Sequence, residues 1–125
     1  MSFDEKPLVW VGSSKKDLCA LPEEVRQFFG HAIYLAQRGL RHASAKAMQG
    51  FGSAGVLEVA DNHEGGAYRA VYTVLFHEAV YVLHCFQKKS KQGISTPRED
   101  MDLVRARLKA VEIRVREHRN AKNYC

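Results

Sequence analysis

The chain has 125 residues, 46% of them hydrophobic, and a formal net charge of +5. This length suits a single domain covering residues 1–125, and the composition excludes a disordered tail. No apolar run approaches the roughly 18–20 residues of a membrane span, and the N-terminus lacks the features of a signal peptide. A soluble, cytoplasmic protein without membrane contact is therefore expected. Cys19, Cys85 and Cys125 show no CxxC spacing, which predicts neither a disulfide framework nor a zinc site.

The positive charge is concentrated in the last third of the chain. From His84 to the end there are 11 Lys and Arg residues against 5 Asp and Glu, whereas the first 83 residues hold 8 against 9. A basic excess confined to one region favours a polyanionic partner such as nucleic acid. A merely solvated basic surface is the alternative interpretation.

The N-terminal half predicts one strand followed by a helical hairpin. Leu8–Val11 is a short apolar run after Pro7 and is typical of a buried strand. A capping-box pattern starts at Ser14, and Pro22 with two glutamates after it restarts a helix. Residues 14–38 are therefore predicted as a helical hairpin or a kinked helix, and a polar linker follows over residues 41–54.

Three strands are predicted in the middle of the chain. Val56–Ala60 is a short strand, and a polar turn follows it. Tyr68–Phe76 and Ala79–Phe86 are rich in Val, Tyr, Leu and Phe, which is typical of buried strands. His77 and Glu78 are the only polar residues between them and predict a tight hairpin.

The last predicted element is an amphipathic helix with a clear start signal. Thr96 is expected as its N-cap and Pro97 as its first residue, with Glu99 completing a capping box. Its apolar stripe recurs at steps of three and four residues, at Met101, Val104, Leu108, Val111 and Val115. The polar end, from about residue 119, is expected to fray. The order β, α, α, β, β, β, α predicts an α+β domain with a small antiparallel sheet packed against helices.

Alternation along the first long strand singles out an arginine. It places Arg69 on one face with Val71, and the core-forming Tyr68 and Tyr72 on the other. An arginine inside so apolar a strand is costly to bury alone. It therefore either serves a phosphate or pairs with Glu58 on the neighbouring strand, and both roles stay open.

Alternation along the second long strand singles out a histidine. It places His84 with Phe86 and Lys88 on one side, and Leu83 with Cys85 on the other. A lone histidine in an apolar strand is more often a satisfied core residue, but the lysines that follow favour a site with acid–base chemistry. No metal-binding spacing, phosphate loop or serine triad accompanies it, so neither a metal nor a cofactor is expected.

The pattern YRAVY…VYVLHCFQKKSKQGISTP resembles the phage-derived Gp49-like group of HigB/RelE-type toxins of bacterial toxin–antitoxin modules. The resemblance extends from LVWVGSSKKDL through AKAMQGFGSAGVLEV to the helix after STP, and LHCFQKKS is its specific fragment. It implies a RelE-like fold, with an antiparallel sheet, an N-terminal helical hairpin and a C-terminal helix. It also implies an mRNA endoribonuclease that inhibits translation, usually by cutting on the ribosome. The implied partner is a cognate antitoxin, commonly a helix-turn-helix protein in the HigB branch.

The resemblance further implies metal-independent cleavage, in which the RNA 2′-hydroxyl attacks the adjacent phosphate. Arg69 matches the strand arginine of the family and is expected to stabilise the developing negative charge. Lys88 and Lys89 match its basic cluster, which positions the phosphate. His84 matches the histidine of the HigB-like motif and is the candidate acid or base. Three other cations are candidate RNA-binding residues: Lys46, Lys91 and Arg98.

Two features depart from the family pattern. Some RelE toxins carry catalytic lysines on the strand before the arginine, where this chain has Glu58. Tyr124 and His118 match the C-terminal tyrosine or histidine of several relatives only loosely, so the proton carrier stays open. The alternative function is a non-enzymatic toxin or phage inhibitor protein of the same fold. Such a protein either inhibits DNA gyrase, as ParE toxins do, or binds RNA or antitoxin without cutting.

Overall fold

A computed structural model of the chain describes residues 5–52, 55–88 and 96–123. Within these residues the predicted α+β architecture is confirmed, as a five-stranded sheet with three helices. In chain order the elements are β1 (Leu8–Trp10), α1 (Ser14–Cys19), α2 (Glu23–Gln37), β2 (Lys46–Ala47), β3 (Val56–His63), β4 (Gly66–Thr73), β5 (Val80–Gln87) and α3 (Arg98–Asn123). None of the described helices has the length and the low charge needed to cross a membrane.

The sheet is mixed: four of its strands form the predicted antiparallel sheet, and a parallel strand is added at one edge. The strand order is β1-β5-β4-β3-β2, and every pair from β2 to β5 is antiparallel. Strand β1 instead runs parallel to β5. Because α1 and α2 carry the chain from β1 to the far edge of the sheet, no hairpin dictates the direction of β1.

Helices cover both faces of the sheet. Val25 and Phe29 of α2 are fully buried against one face, in a core shared with Val59 and Tyr72. The stripe of α3 packs on the other face, where Val104 is fully buried. A strand buried on both faces is apolar almost throughout, which accounts for the continuous apolar sequence of β5.

The tight turn lies elsewhere than predicted. Strand β3 continues to His63 and β4 begins at Gly66, so Glu64 and Gly65 form a two-residue loop with φ angles of 48° and 81°. Two positive φ angles are what a type I′ hairpin requires, and glycine adopts one of them without strain. Strands β4 and β5 pair antiparallel as predicted, but the tight turn predicted at His77 and Glu78 is wrong, because β4 already ends at Thr73 and β5 begins only at Val80.

Helix α3 begins differently from the prediction. The first helical hydrogen bond runs from the Met101 N–H to the Pro97 carbonyl at 3.0 Å. Thr96 is not the expected cap, because the helix begins at Arg98 and Pro97 is the residue directly before it. The Thr96 hydroxyl instead donates to Glu58 Oε2 at 2.5 Å. The helix continues through Asn123, beyond the point at which the polar sequence favours fraying. Its predicted apolar stripe is confirmed from Val104 to Val115.

The two described cysteines differ sharply in accessibility, which predicts different reactivity. Burial raises the pKa of the Cys85 thiol to about 12, and the residue is 1% exposed, whereas Cys19 is exposed. Because the thiolate is the reactive form, we expect iodoacetamide at neutral pH to modify Cys19 and to spare Cys85 until the chain is unfolded in urea. Peptide mass spectrometry measures both rates. Equal rates in the folded protein would contradict the described packing.

Tyr72 predicts a stabilising substitution. Its hydroxyl is buried without a hydrogen-bond partner among the described residues, and burial raises its pKa to about 12. We expect Tyr72→Phe to raise the free energy of unfolding by about 1 kcal/mol at neutral pH, because an unsatisfied buried hydroxyl is removed. The raised pKa also makes the wild type lose stability as the pH rises from about 10, where the unfolded phenol ionises, towards 12. Urea unfolding at neutral pH and in this alkaline range measures the free energy of unfolding. Between the two, it should fall less for Tyr72→Phe than for the wild type.

Candidate functional site

A β-bulge in β5 decides which face of the sheet His84 occupies. Val71 of β4 pairs with His84, but the next pair is Tyr72 with Val82, so Leu83 is an extra residue. Such a residue shifts the alternation by one position. Leu83 packs in the α3 core, and His84 contacts α3 as well. The predicted alternation, which put these two residues on opposite faces, is therefore wrong beyond Val82.

The strand register aligns candidate residues in a row across four strands. Lys46 of β2 pairs with Glu58 of β3, Glu58 pairs with Val71, and Val71 pairs with His84. Residues directly opposite each other share a face of the sheet, so these side chains lie on the α3 side. Arg69 lies on the same face, diagonal to both Glu58 and His84. Lys46, Glu58, Arg69 and His84 together form the polar row.

The centre of the polar row is an arginine–carboxylate pair. Arg69 Nη1 lies 3.3 Å from Glu58 Oε1, and the two side chains are only 14% and 17% exposed. The second carboxylate oxygen of Glu58 accepts the hydrogen bond from Thr96. Of the two roles that the sequence leaves open for Arg69, the structure shows the pairing with Glu58. The pair fixes the guanidinium in place and spares it the cost of burial as an isolated charge.

His84 is held by a carboxylate from α3. Its Nε2 lies 2.7 Å from Asp100 Oδ1, and its ring stacks on Phe86 with 4.4 Å between centroids. Nδ1 is buried and has no hydrogen-bond partner among the described residues. This geometry favours the neutral tautomer with its proton on Nε2, donated to Asp100, and a lone pair on Nδ1. A histidine held in this way can accept a proton at Nδ1.

The other predicted cations are distributed around this row. Lys88 follows His84 and Phe86 on the α3 face and is only 6% exposed, so it is buried here and does not lie on an open surface. Lys46 is exposed at the far end of the row, and Arg98 is exposed at the start of α3. Lys89 and Lys91 lie outside the described residues. The structure thus brings Arg69, His84 and Lys88 to one end of the sheet, beneath the start of α3.

A cleft of about 660 Å³ opens beside His84. Its walls come from α1, from the end of β5 and from the first turn of α3. They are formed by Asp17, Leu21, His84, Cys85, Phe86, Gln87, Pro97, Arg98, Glu99 and Asp100. His84 is therefore approached from the side of β5 that faces away from Arg69. Neither in the cleft nor elsewhere in the described residues are three His, Cys, Asp or Glu side chains grouped as metal ligands.

Sequence reasoning missed Thr96 and Asp100 as members of the site. Thr96 binds Glu58 and Asp100 binds His84, so the start of α3 is attached to two different strands. The sequence signal for these two contacts is weak, because a threonine before a helix and a carboxylate in its first turn are typical of any helix start. Their contacts depend on how α3 is placed over the sheet.

The Asp100–His84 contact predicts unequal effects of two nearby carboxylates. Asp102 is 64% exposed and lies 3.6 Å from Arg105, which makes Asp102→Ala a matched control. We expect Asp100→Ala to lower the free energy of unfolding by about 2 kcal/mol, because a hydrogen bond to a charged group is lost and His84 Nε2 is left buried. Asp102→Ala should change it by less than about 0.5 kcal/mol. Urea unfolding measures both, and equal effects would contradict an energetically significant contact.

The elements and their order are those of the toxin class that the sequence resembles. Comparison with protein families shows that the chain belongs to the family described as phage derived protein Gp49-like (DUF891), whose model matches residues 16–109. This family is the RelE/HigB-like toxin group, so the resemblance read from the sequence is confirmed. The family supports a toxin of a toxin–antitoxin module and implies an antitoxin partner. No curated protein and no solved structure matches the chain.

Proposed function

We propose that this toxin is a metal-independent mRNA endoribonuclease that inhibits translation, cutting mRNA on the ribosome in the cytoplasm. The observation that carries the proposal is the bulge in β5, which places His84 on the same face as Arg69 and Lys88. A proton carrier next to fixed cations is the combination that phosphodiester cleavage needs. Membership of the RelE/HigB-like group supports the same assignment.

The proposed reaction forms one bond and breaks one bond at phosphorus. The RNA 2′-oxygen attacks the adjacent phosphorus and the bond to the 5′-oxygen breaks, which leaves a cyclic phosphate and a 5′-hydroxyl. The 2′-hydroxyl loses a proton and the 5′-oxygen gains one. We assign this transfer to Nδ1 of His84, which has no hydrogen-bond partner among the described residues.

In this proposal Arg69 stabilises the negative charge that develops on the phosphate. A guanidinium offers several donors in a fixed plane and suits two phosphate oxygens at once. In the described conformation Glu58 Oε1 lies 3.3 Å from Arg69 Nη1. At the start of α3, Thr96 binds Glu58 and Asp100 binds His84. RNA binding at these groups therefore involves displacement of the segment Thr96–Asp100 from the polar row.

Burial of the site favours a second candidate function. Arg69 and His84 each contact a carboxylate and are largely buried, which also suits residues that only hold the fold together. A toxin of this kind acts by binding, as in ParE-like inhibition of DNA gyrase, or binds RNA or antitoxin without cutting.

Expression of the toxin in bacteria separates the two candidates. Wild-type protein should arrest growth and produce new mRNA 5′ ends, detected by primer extension. We expect Arg69→Lys, which keeps a charge beside Glu58 but loses the planar fork, to reduce cutting by about 100-fold. Arg105→Ala, at an exposed position of α3, is the matched control and should cut normally.

The contrary outcomes are equally specific. Growth arrest with intact mRNA and with relaxed or damaged DNA would refute the nuclease and support ParE-like inhibition. Undiminished cutting by a folded Arg69→Lys variant would remove Arg69 from the catalytic proposal. Circular dichroism on both purified variants establishes that each is folded.

A further inference from the structure

Leu83, the extra residue of the β5 bulge, has a backbone carbonyl that needs a partner from outside the strand pair. In the register Val71 pairs with His84 and Tyr72 with Val82, so Leu83 faces no residue of β4. Leu83 is also fully buried, with 0% exposure. A buried carbonyl outside a strand ladder is costly unless another donor reaches it.

Arg107 of α3 supplies this donor. Its Nη1 donates to the Leu83 carbonyl at 2.8 Å, and its Nη2 donates to Ser13 Oγ at 3.0 Å. The Ser13 hydroxyl in turn donates to Asp17 Oδ2 of α1 at 2.7 Å. The guanidinium therefore connects the bulge of β5 to the start of α1, and both of its ends are held by hydrogen bonds.

The turn between β1 and α1 accommodates the guanidinium because residue 12 is a glycine. Gly12 has a φ of 56°, and a Cβ on it would lie 2.8 Å from Arg107 Nε and 2.9 Å from Arg107 Cζ. Both the positive φ and this close approach favour glycine over any residue with a side chain. The guanidinium thus lies directly against the backbone of the turn.

Two successive carbonyls of β5 are held from the side of β1. The Val82 carbonyl accepts from the Val11 N–H at 3.0 Å, and the Leu83 carbonyl accepts from Arg107, which lies against the turn after β1. In a regular strand, successive carbonyls point to opposite sides. Holding both on one side maintains the bulge, and the bulge determines which face of the sheet His84 occupies.

The Arg107 contact is separate from the contact that holds the His84 ring. Asp100 binds the ring from the first turn of α3, and Arg107 lies seven residues later in the same helix, about two turns away. In the proposed function the segment Thr96–Asp100 moves away from the polar row, which takes Asp100 away from His84. The hydrogen bond to the Leu83 carbonyl does not involve that segment, so it remains when the segment moves.

We propose that Arg107 is a positioning residue for the proposed reaction. By holding the Leu83 carbonyl it maintains the bulge, and thereby keeps His84 directed towards the polar row when the start of α3 moves. Arg107 acts only through β5 and does not touch the reacting phosphate. The catalytic consequence rests on the proposed function, whereas the control of His84 by Arg107 does not.

Two substitutions disturb this contact from different sides. Arg107→Gln removes the guanidinium, and Gly12→Ala places a Cβ where the guanidinium lies. Arg114→Gln removes the same charge at an exposed position of α3 and is the matched control. Circular dichroism establishes that each purified variant is folded.

Nitrogen-15 NMR of the histidine rings in the isolated toxin gives a readout that needs no RNA. The wild type and Arg114→Gln should show His84 as the tautomer with its proton on Nε2, as the contact with Asp100 favours. In Arg107→Gln and Gly12→Ala we expect this signature to be lost and both tautomers to exchange. A merely structural loss would lower the folded fraction and leave the tautomer of the folded molecules unchanged.

Single-turnover cutting of mRNA on ribosomes gives the second readout. Misplacement of a reacting group by about 1 Å costs about 100-fold in rate, so we expect both variants to cut about 100-fold more slowly than the wild type. Because Arg107 does not bind the phosphate, their affinity for the mRNA-loaded ribosome should stay within about twofold of that of Arg114→Gln. Arg114→Gln itself should cut at the wild-type rate.

The outcomes separate this proposal from the nuclease assignment. An unchanged His84 tautomer in the folded variants, or wild-type cutting rates in both, would overturn the role of Arg107. So would an effect of Arg107→Gln that Gly12→Ala does not reproduce, because the charge and not the contact would then be responsible. An altered tautomer in a toxin whose wild type leaves mRNA intact would refute the nuclease and still support Arg107 as the residue that directs His84.

Discussion

The site depends on one extra residue in β5. Without the bulge at Leu83, His84 would point into the core between the sheet and α2, where its neighbours are apolar. Asp100 on α3 could not then reach it. The bulge also turns the Leu83 carbonyl towards Arg107, so the same irregularity orients the histidine and ties the strand to the middle of α3. Bulges next to functional sites commonly redirect a side chain in this way.

Two polar contacts then fix the start of α3 over the sheet. Thr96 binds Glu58, which holds Arg69, and Asp100 binds His84. Each charged group is compensated, so burial here costs less than burial of isolated charges. The same contacts cover the groups that the proposed chemistry requires. The contacts that position Arg69 and His84 therefore also limit access to them. Both effects depend on where the start of α3 lies.

Features that local periodicity determines could be predicted from the sequence. Apolar spacing and capping signals are enough to predict the stripe from Val104 to Val115, the helical hairpin and the α+β class. The pairing of Arg69 with Glu58 could be considered because their strands are neighbours. The bulge, the parallel β1 and the contact of Thr96 with Glu58 depend on register and on packing between distant segments. No short window of sequence contains that information, so the partner of His84 could not be predicted.

The polar row and the cleft beside His84 differ in charge, although Asp100 belongs to both. The row carries the cations Lys46 and Arg69, whereas the cleft is lined by the carboxylates of Asp17, Glu99 and Asp100 against the guanidinium of Arg98. Asp100 lines the cleft and also holds His84. Under the proposed function, RNA that binds at the polar row requires the first turn of α3 to move, and this movement also changes one wall of the cleft. The position of α3 therefore couples the two surfaces, although they share only the atoms of His84 and Asp100.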